Sequence, residues 1–208
     1  MAGMLSRLPF FVVLMLVAAG AMMVPAAYAV VTEDFDVARD FFYSGFVFGI
    51  AALLIGMAAQ NSRRAEGERR YLATLFLAYL WLPAMLAVPL IDAVGNTRFI
   101  NLYVEMISAL TTTGAPFFDP ERLAPAVHVW RGTVGWFGGL LIWITAAAVL
   151  APLNLGGYEV TSEANIPGQV VTTLRGLEAA SAAGRLRKYA RRLVPIYLSL
   201  TVILTICL

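Results

Sequence analysis

Thr111-Thr112-Thr113-Gly114-Ala115 is the stretch whose reading decides the fold. It comes after a short helical run, Phe99 to Leu110, and before a long apolar segment, Val127 to Leu150; another apolar segment precedes the short run. A helix of 12 residues covers about 18 Å, against a hydrocarbon thickness of about 30 Å. The short run therefore enters a membrane and stops partway. Long helix, half-length helix, Thr/Gly turn, long helix is the order of a membrane-pore-membrane hairpin. An ion filter offers backbone carbonyls in place of the water shell. That needs irregular backbone at membrane depth, tolerated only where it lines a cavity. Glycine adopts the required angles without a Cβ penalty. Threonine hydroxyls add ligands or tie the loop to its support. Taken alone, the five residues read better as a plain interfacial loop rich in Thr. The flanking helices turn the reading toward a filter.

Composition places the whole chain in a bilayer. Of 208 residues, 60% are hydrophobic and 13% charged, too apolar for an ordinary soluble domain. The formal net charge of +2 gives no support to nucleic-acid binding. The one cysteine, Cys207, lies in an apolar run, so neither a disulfide framework nor a Cys-based metal site is expected. No His/Cys/acid cluster and no phosphate loop in a suitable context is present, so the chain reads as a non-enzyme without a cofactor. His128, beside Trp130, reads as an interfacial anchor.

The expected fold class is all-α integral membrane: two leading transmembrane helices, one membrane-pore-membrane hairpin and the start of a further transmembrane helix. Residues 1–60 hold the leading helices, as apolar segments Leu5–Val31 and Phe41–Ala59 joined by an acidic loop, Thr32–Asp40. The first segment, with Arg7 at its start and Ala27-Tyr28-Ala29 at its end, also suits a cleaved signal over residues 1–29. Pro25 should kink or end it. Residues 71–152 form the repeat, with Pro83 and Pro89 bending its first helix. Residues 153–190 read as a polar cytoplasmic linker. Residues 191–208 open the next helix, which is short for a complete span.

Within the repeat, Glu105 is the one acid of the short helix, and it is expected to brace the filter through hydrogen bonds. Arg131 is expected to meet an external acid or the headgroups. Gly132, Gly135 and Gly139 form a stripe on the next helix, beside Gly138; small residues of this kind let the short helix approach. Basic residues orient the chain. Arg7, the four Arg between Asn61 and Arg70, and Arg175, Arg185, Arg187, Lys188, Arg191 and Arg192 account for 11 of 15 Lys and Arg. The positive-inside rule makes these segments cytoplasmic. That parity requires residues 99–116 to be re-entrant.

The run Glu105-Met106-Ile107-Ser108-Ala109-Leu110-Thr111-Thr112-Thr113-Gly114-Ala115 resembles the first pore helix and filter of the bacterial TrkH/KtrB potassium-uptake family. Trp130-Arg131, Gly135-Trp136-Phe137-Gly138-Gly139 and Pro152-Leu153-Asn154-Leu155-Gly156-Gly157 resemble the rest of that hairpin, and the two leading spans look like the TrkH branch. The resemblance covers most of residues 35–200. It implies potassium transport, as a channel or symport protein of the bacterial inner membrane with many spans. It assigns ion binding to Thr111, Thr112, Thr113, Gly114 and Ala115, with K⁺ at Thr112, Thr113 and Gly114. Glu105, Arg131, Gly135, Gly138 and Gly139 would support that filter. Its implied partners are membrane lipid, a second copy of the full-length subunit and a cytoplasmic ring that binds nucleotides. Two departures stand out: Ala109 where the family commonly has Gly, and Pro116 directly after the filter. Only the first of four repeats is present, so the chain is expected to be the N-terminal part of a transporter. The alternative is a non-transporting membrane fragment or an assembly partner.

Overall fold

A computed structural model describes residues 10–60, 68–150 and 182–207. Arg7, the basic loop at 61–67, the linker from 151 to 181 and its Pro152–Gly157 exit lie outside the described residues. Every regular element among the described residues is helical. The helices are α1 (Phe10–Ala21), α2 (Met23–Val31), α3 (Phe35–Gln60), α4 (Glu68–Ala87), α5 (Leu90–Val94), α6 (Phe99–Leu110), α7 (Pro125–Leu150) and α8 (Ala182–Cys207), with a 3₁₀ turn at Pro120–Arg122. Two stretches, Phe10–Val31 and Phe35–Ala59, are long and apolar enough to cross a membrane, and shorter apolar stretches include Phe99–Leu110 and Leu193–Cys207. Phe42, Phe46, Val47, Ile50, Leu53 and Leu54 of α3 are exposed, an apolar surface that lipid rather than water would solvate. The protein is all-α and built for a membrane.

The chain forms two compact units, one of residues 1–65 and 73–139, the other of residues 66–72 and 140–208. In the first, α1 and α2 pack along α3, and α5 touches both α3 and α6. The first apolar segment is interrupted at Met22, between α1 and α2. Pro25 has no N–H to offer the Ala21 carbonyl, and helix resumes on either side of that missing bond. The acidic loop is shorter than the sequence suggests. Only Thr32, Glu33 and Asp34 are non-helical, and α3 begins six residues before the expected Phe41. Asp34 explains this: its Oδ1 accepts from the Val37 N–H at 3.4 Å and its carbonyl from the Ala38 N–H at 3.0 Å, so it caps the helix. Arg39 pairs with Asp36 at 3.2 Å on the first turns.

The crossing of α3 over α1 and α2 depends on a glycine that the charge and hydropathy pattern did not reveal. A Cβ at Gly45 would lie 2.6 Å from Met23 Cε and 2.9 Å from the Ala19 carbonyl oxygen. Four residues on, a Cβ at Gly49 would meet Ala19 Cβ at an ordinary 4.0 Å. Gly45→Val should therefore separate the helices, because the Ala19 backbone cannot yield; overpacking of this kind costs roughly 1–3 kcal/mol. Gly49→Ala should be tolerated. Denaturation of the purified protein in mixed micelles by SDS would read both, and equal midpoints for Gly45→Val and wild type would disprove the tight crossing.

Pro89 divides the expected third span into α4 and α5, with a turn at Val88–Pro89, while Pro83 is accommodated inside α4. A broken helix needs outside donors for its last carbonyls. The fully buried Trp130 of α7 supplies one, its indole N–H donating to the Leu86 carbonyl at 3.0 Å. Its ring meets Phe41 edge-on at 5.6 Å between centroids. Tyr103 of α6 donates its hydroxyl to the Leu80 carbonyl at 2.9 Å. These contacts fix α6 and the first half of α7 against α3 and α4. The last helix, α8, belongs to the second unit and starts at Ala182, within the segment expected to be linker.

Candidate functional site

α6 has the expected bounds, Phe99–Leu110, and the loop after it is built by the last turn of the helix. The Thr111 N–H donates to the Ile107 carbonyl at 2.8 Å and the Thr112 N–H to Ala109 at 3.1 Å. The Ser108 carbonyl then accepts twice, from Thr113 N–H at 2.9 Å and Gly114 N–H at 3.3 Å. Such bonds cap a helix C-terminus when the next residues enter the left-handed region. Here Thr112 has φ 57° and Gly114 φ 70°. Glycine is at ease there; threonine, β-branched, is held against its preference. The chain thus leaves the helix and reverses over Thr111–Ala115.

Side chains tie the loop to its helix. Ser108 donates its hydroxyl to the Ala115 carbonyl at 2.9 Å, and Thr111 donates to the Ile107 carbonyl at 2.8 Å. The Thr111 and Thr113 hydroxyls lie 2.9 Å apart. Residues 112–116 are exposed. They sit at the carbonyl end of α6, where the helix dipole is negative and favours a cation.

Glu105 is 2% exposed and holds the far side of the loop. Its Oε2 accepts from the Phe117 N–H at 2.7 Å, and its Oε1 pairs with Arg131 Nε at 2.5 Å. Arg131 was expected to turn toward an external acid or the headgroups. It turns inward instead, because it shares with Gly135 and Gly138 the face of α7 that meets α6. The glycine stripe is also corrected. A Cβ at Gly135 would sit 3.7 Å from the Ala109 carbonyl, and one at Gly138 would run into the Leu110 backbone. Gly132 has open space around it, while Gly139 is half-buried. The close approach therefore uses Gly135 and Gly138, and not the expected Gly132.

Between α7 and the loop lies an open cleft of about 430 Å³, lined by Glu105, Ser108, Thr112, Gly114, Arg131 and Gly132 among others. His128 closes one side, its Nε2 lying 3.0 Å from the Pro120 carbonyl. Sequence reasoning had singled out Glu105, Arg131 and the five loop residues, and the structure brings them together. It had missed Ser108 and Phe117, one a loop tether and the other Glu105's backbone partner. A serine one turn before a Thr/Gly loop was the available signal for the first. Nothing in residue type marks a backbone N–H.

The chain is 30% identical to the "Trk system potassium uptake protein TrkH" of Escherichia coli (strain K12) over 195 residues, 91% of this chain and 38% of that one. It is 36% identical to the protein of the same name from Vibrio parahaemolyticus over 108 residues, 51% of this chain and 21% of the relative. It is 32% identical to the "Trk system potassium uptake protein TrkG" of Escherichia coli (strain K12) over 132 residues, 59% of this chain and 27% of that one. The chain thus spans well under half the length of the relatives it matches. No family model matches it. No solved structure matches it significantly.

Proposed function

We propose that this chain, which belongs to the TrkH/KtrB-type family, supplies the first membrane-pore-membrane repeat of a potassium-uptake protein, with Thr111–Ala115 as its filter loop. The observation that carries the reading is the half-length helix α6, which ends in an exposed loop with Thr112 and Gly114 at positive φ. The loop is tethered on one side by Ser108 and on the other by Glu105. Potassium is the transported substrate, and the carbonyls of Thr112, Thr113 and Gly114 meet it. Glu105, Arg131, Gly135, Gly138 and Gly139 keep the loop in place. Residues 1–60 act as leading helices, 71–152 as the repeat, 153–190 as a cytoplasmic linker and 191–208 as the opening of the next helix. The host membrane is the bacterial inner membrane, crossed several times. A second copy of the full subunit, membrane lipid and a cytoplasmic nucleotide-binding ring are the partners, and uptake runs as symport or channel flow.

One filter loop cannot surround an ion, since replacing a hydration shell takes a ring of carbonyls. A potassium-uptake-deficient strain tests the reading. A transporter in which this segment is joined to further filter loops should restore growth at low potassium, and residues 1–208 alone should not. If the longer protein reaches the membrane and leaves potassium uptake unchanged, the transport reading fails, and the chain is a membrane fragment or an assembly partner. Rescue by residues 1–208 alone would show that copies of one repeat close a ring.

A further inference from the structure

The helix α8 runs without interruption from Ala182 to Cys207, so its basic start and its apolar end are one rod. Arg185, Arg187, Lys188, Arg191 and Arg192 occupy its first turns, and no Asp or Glu occurs after Glu178. At 3.6 residues per turn, these five positions fall within roughly 160° of the helix circumference. Leu186, Tyr189, Ala190 and Leu193 occupy positions on the remaining arc. A helix with one basic and one apolar side is the pattern of a segment that rests in the membrane interface. The C-terminal half of α8 is fit for hydrocarbon: Ile196, Leu200, Ile203, Leu204 and Ile206 are exposed apolar residues. The headgroup layer is only about 5–8 Å thick on each side of the hydrocarbon, so positions directly before that run fall within it. Pro195 lies at the junction and leaves the Arg191 carbonyl without its helical donor, so the rod can bend there. A bend lets the basic stretch tilt toward the membrane plane.

We propose that residues 182–192 form a binding site for anionic phospholipid headgroups, with Arg185, Arg187, Lys188, Arg191 and Arg192 supplying the charge that attracts the lipid phosphates of the bilayer that α8 enters. The charge complementarity, the segregation of the basic positions and their place beside the apolar run select a lipid surface over an acidic protein.

Native mass spectrometry of the detergent-purified full chain, titrated with phosphatidylglycerol or phosphatidylcholine, tests the site. Wild type should bind phosphatidylglycerol at least about tenfold more tightly, as expected when several basic residues each add attraction to an anionic surface. That preference should shrink with rising salt. Millimolar inorganic phosphate should not displace the lipid; displacement would mark a free-phosphate site and overturn the proposal. The variant R185Q/R187Q/K188Q/R191Q/R192Q should bind both lipids alike, while R185K/R187K/R191K/R192K should keep the preference. Should the glutamine variant lose helix content by circular dichroism, the salt series on wild type decides by itself. No preference in wild type, or an unchanged one in a folded glutamine variant, overturns the proposal and leaves the basic face to an acidic protein surface.

Discussion

Replacing Glu105 with alanine is expected to lower the unfolding free energy of the detergent-purified protein by about 3–5 kcal/mol, the usual result of removing one member of a buried ion pair. The substitution strands two groups at once. Arg131 loses its carboxylate partner, and the Phe117 N–H loses its acceptor. Glu105→Gln should cost less, since its amide oxygen can still accept from Phe117, although the ion pair is gone. Arg131→Met should also cost less when made in the Glu105→Leu background than in wild type, because the pair is then replaced by apolar groups and neither charge remains buried alone. SDS titration in mixed micelles would measure Glu105→Ala, Glu105→Gln, Arg131→Met, Glu105→Leu and the Glu105→Leu/Arg131→Met double variant. If Glu105→Ala unfolds at the wild-type midpoint, the pair does not hold α6 to α7. The same variants should impair ion selection in a transporter carrying this segment. Phe117 is where the chain leaves the Thr111–Ala115 loop, and its N–H donates to the Glu105 carboxylate at 2.7 Å.

How much of the fold was legible in the sequence depends on what each signal measures. Length and apolar content marked α6 as too short to cross, and its bounds emerged as read, because Arg98 before it and Thr111 after it bracket a purely periodic run. The membrane class needed only composition. Boundaries set by a single hydrogen bond were harder. The cap at Asp34 moved the start of α3, and the acidic cluster around it had looked like solvated loop. Helix faces were harder again. Spacing put Gly132, Gly135 and Gly139 on one stripe, but Gly132 faces open space, and Gly138, left off the stripe, comes against the Leu110 backbone where α6 ends. Arg131 was legible as important and illegible as to partner: only the packing of α6 on α7 tells an inward arginine from one that reaches for headgroups. Trp130 shows the converse case. Its role stems from the Pro89 break, and a proline in a membrane helix does announce that a donor is needed nearby.

Gly114→Ser, in a transporter carrying this segment, is expected to reduce the preference for K⁺ over Na⁺ about tenfold or more, while Thr111→Ser leaves it near the wild-type value. The cause is backbone conformation and not crowding. A Cβ at Gly114 would meet nothing within 4 Å, but Gly114 has φ 70°. Holding a serine there costs roughly 1–3 kcal/mol, and each 1.4 kcal/mol taken from K⁺ relative to Na⁺ is about a tenfold loss of preference. The loop has little capacity to absorb this strain, because Thr112 already sits at φ 57° two residues earlier. Serine at 114 relieves it by rotating the peptide, which turns a carbonyl away from the ion. Thr111 differs in kind. Its hydroxyl donates to the Ile107 carbonyl at 2.8 Å, and serine keeps that oxygen while removing one methyl. Competitive uptake of K⁺ and Na⁺, with both variants matched for amount in the membrane, separates altered preference from mere loss of protein. An unchanged preference in Gly114→Ser would mean that Thr111–Ala115 is not the filter and that the loop is only the cap of α6.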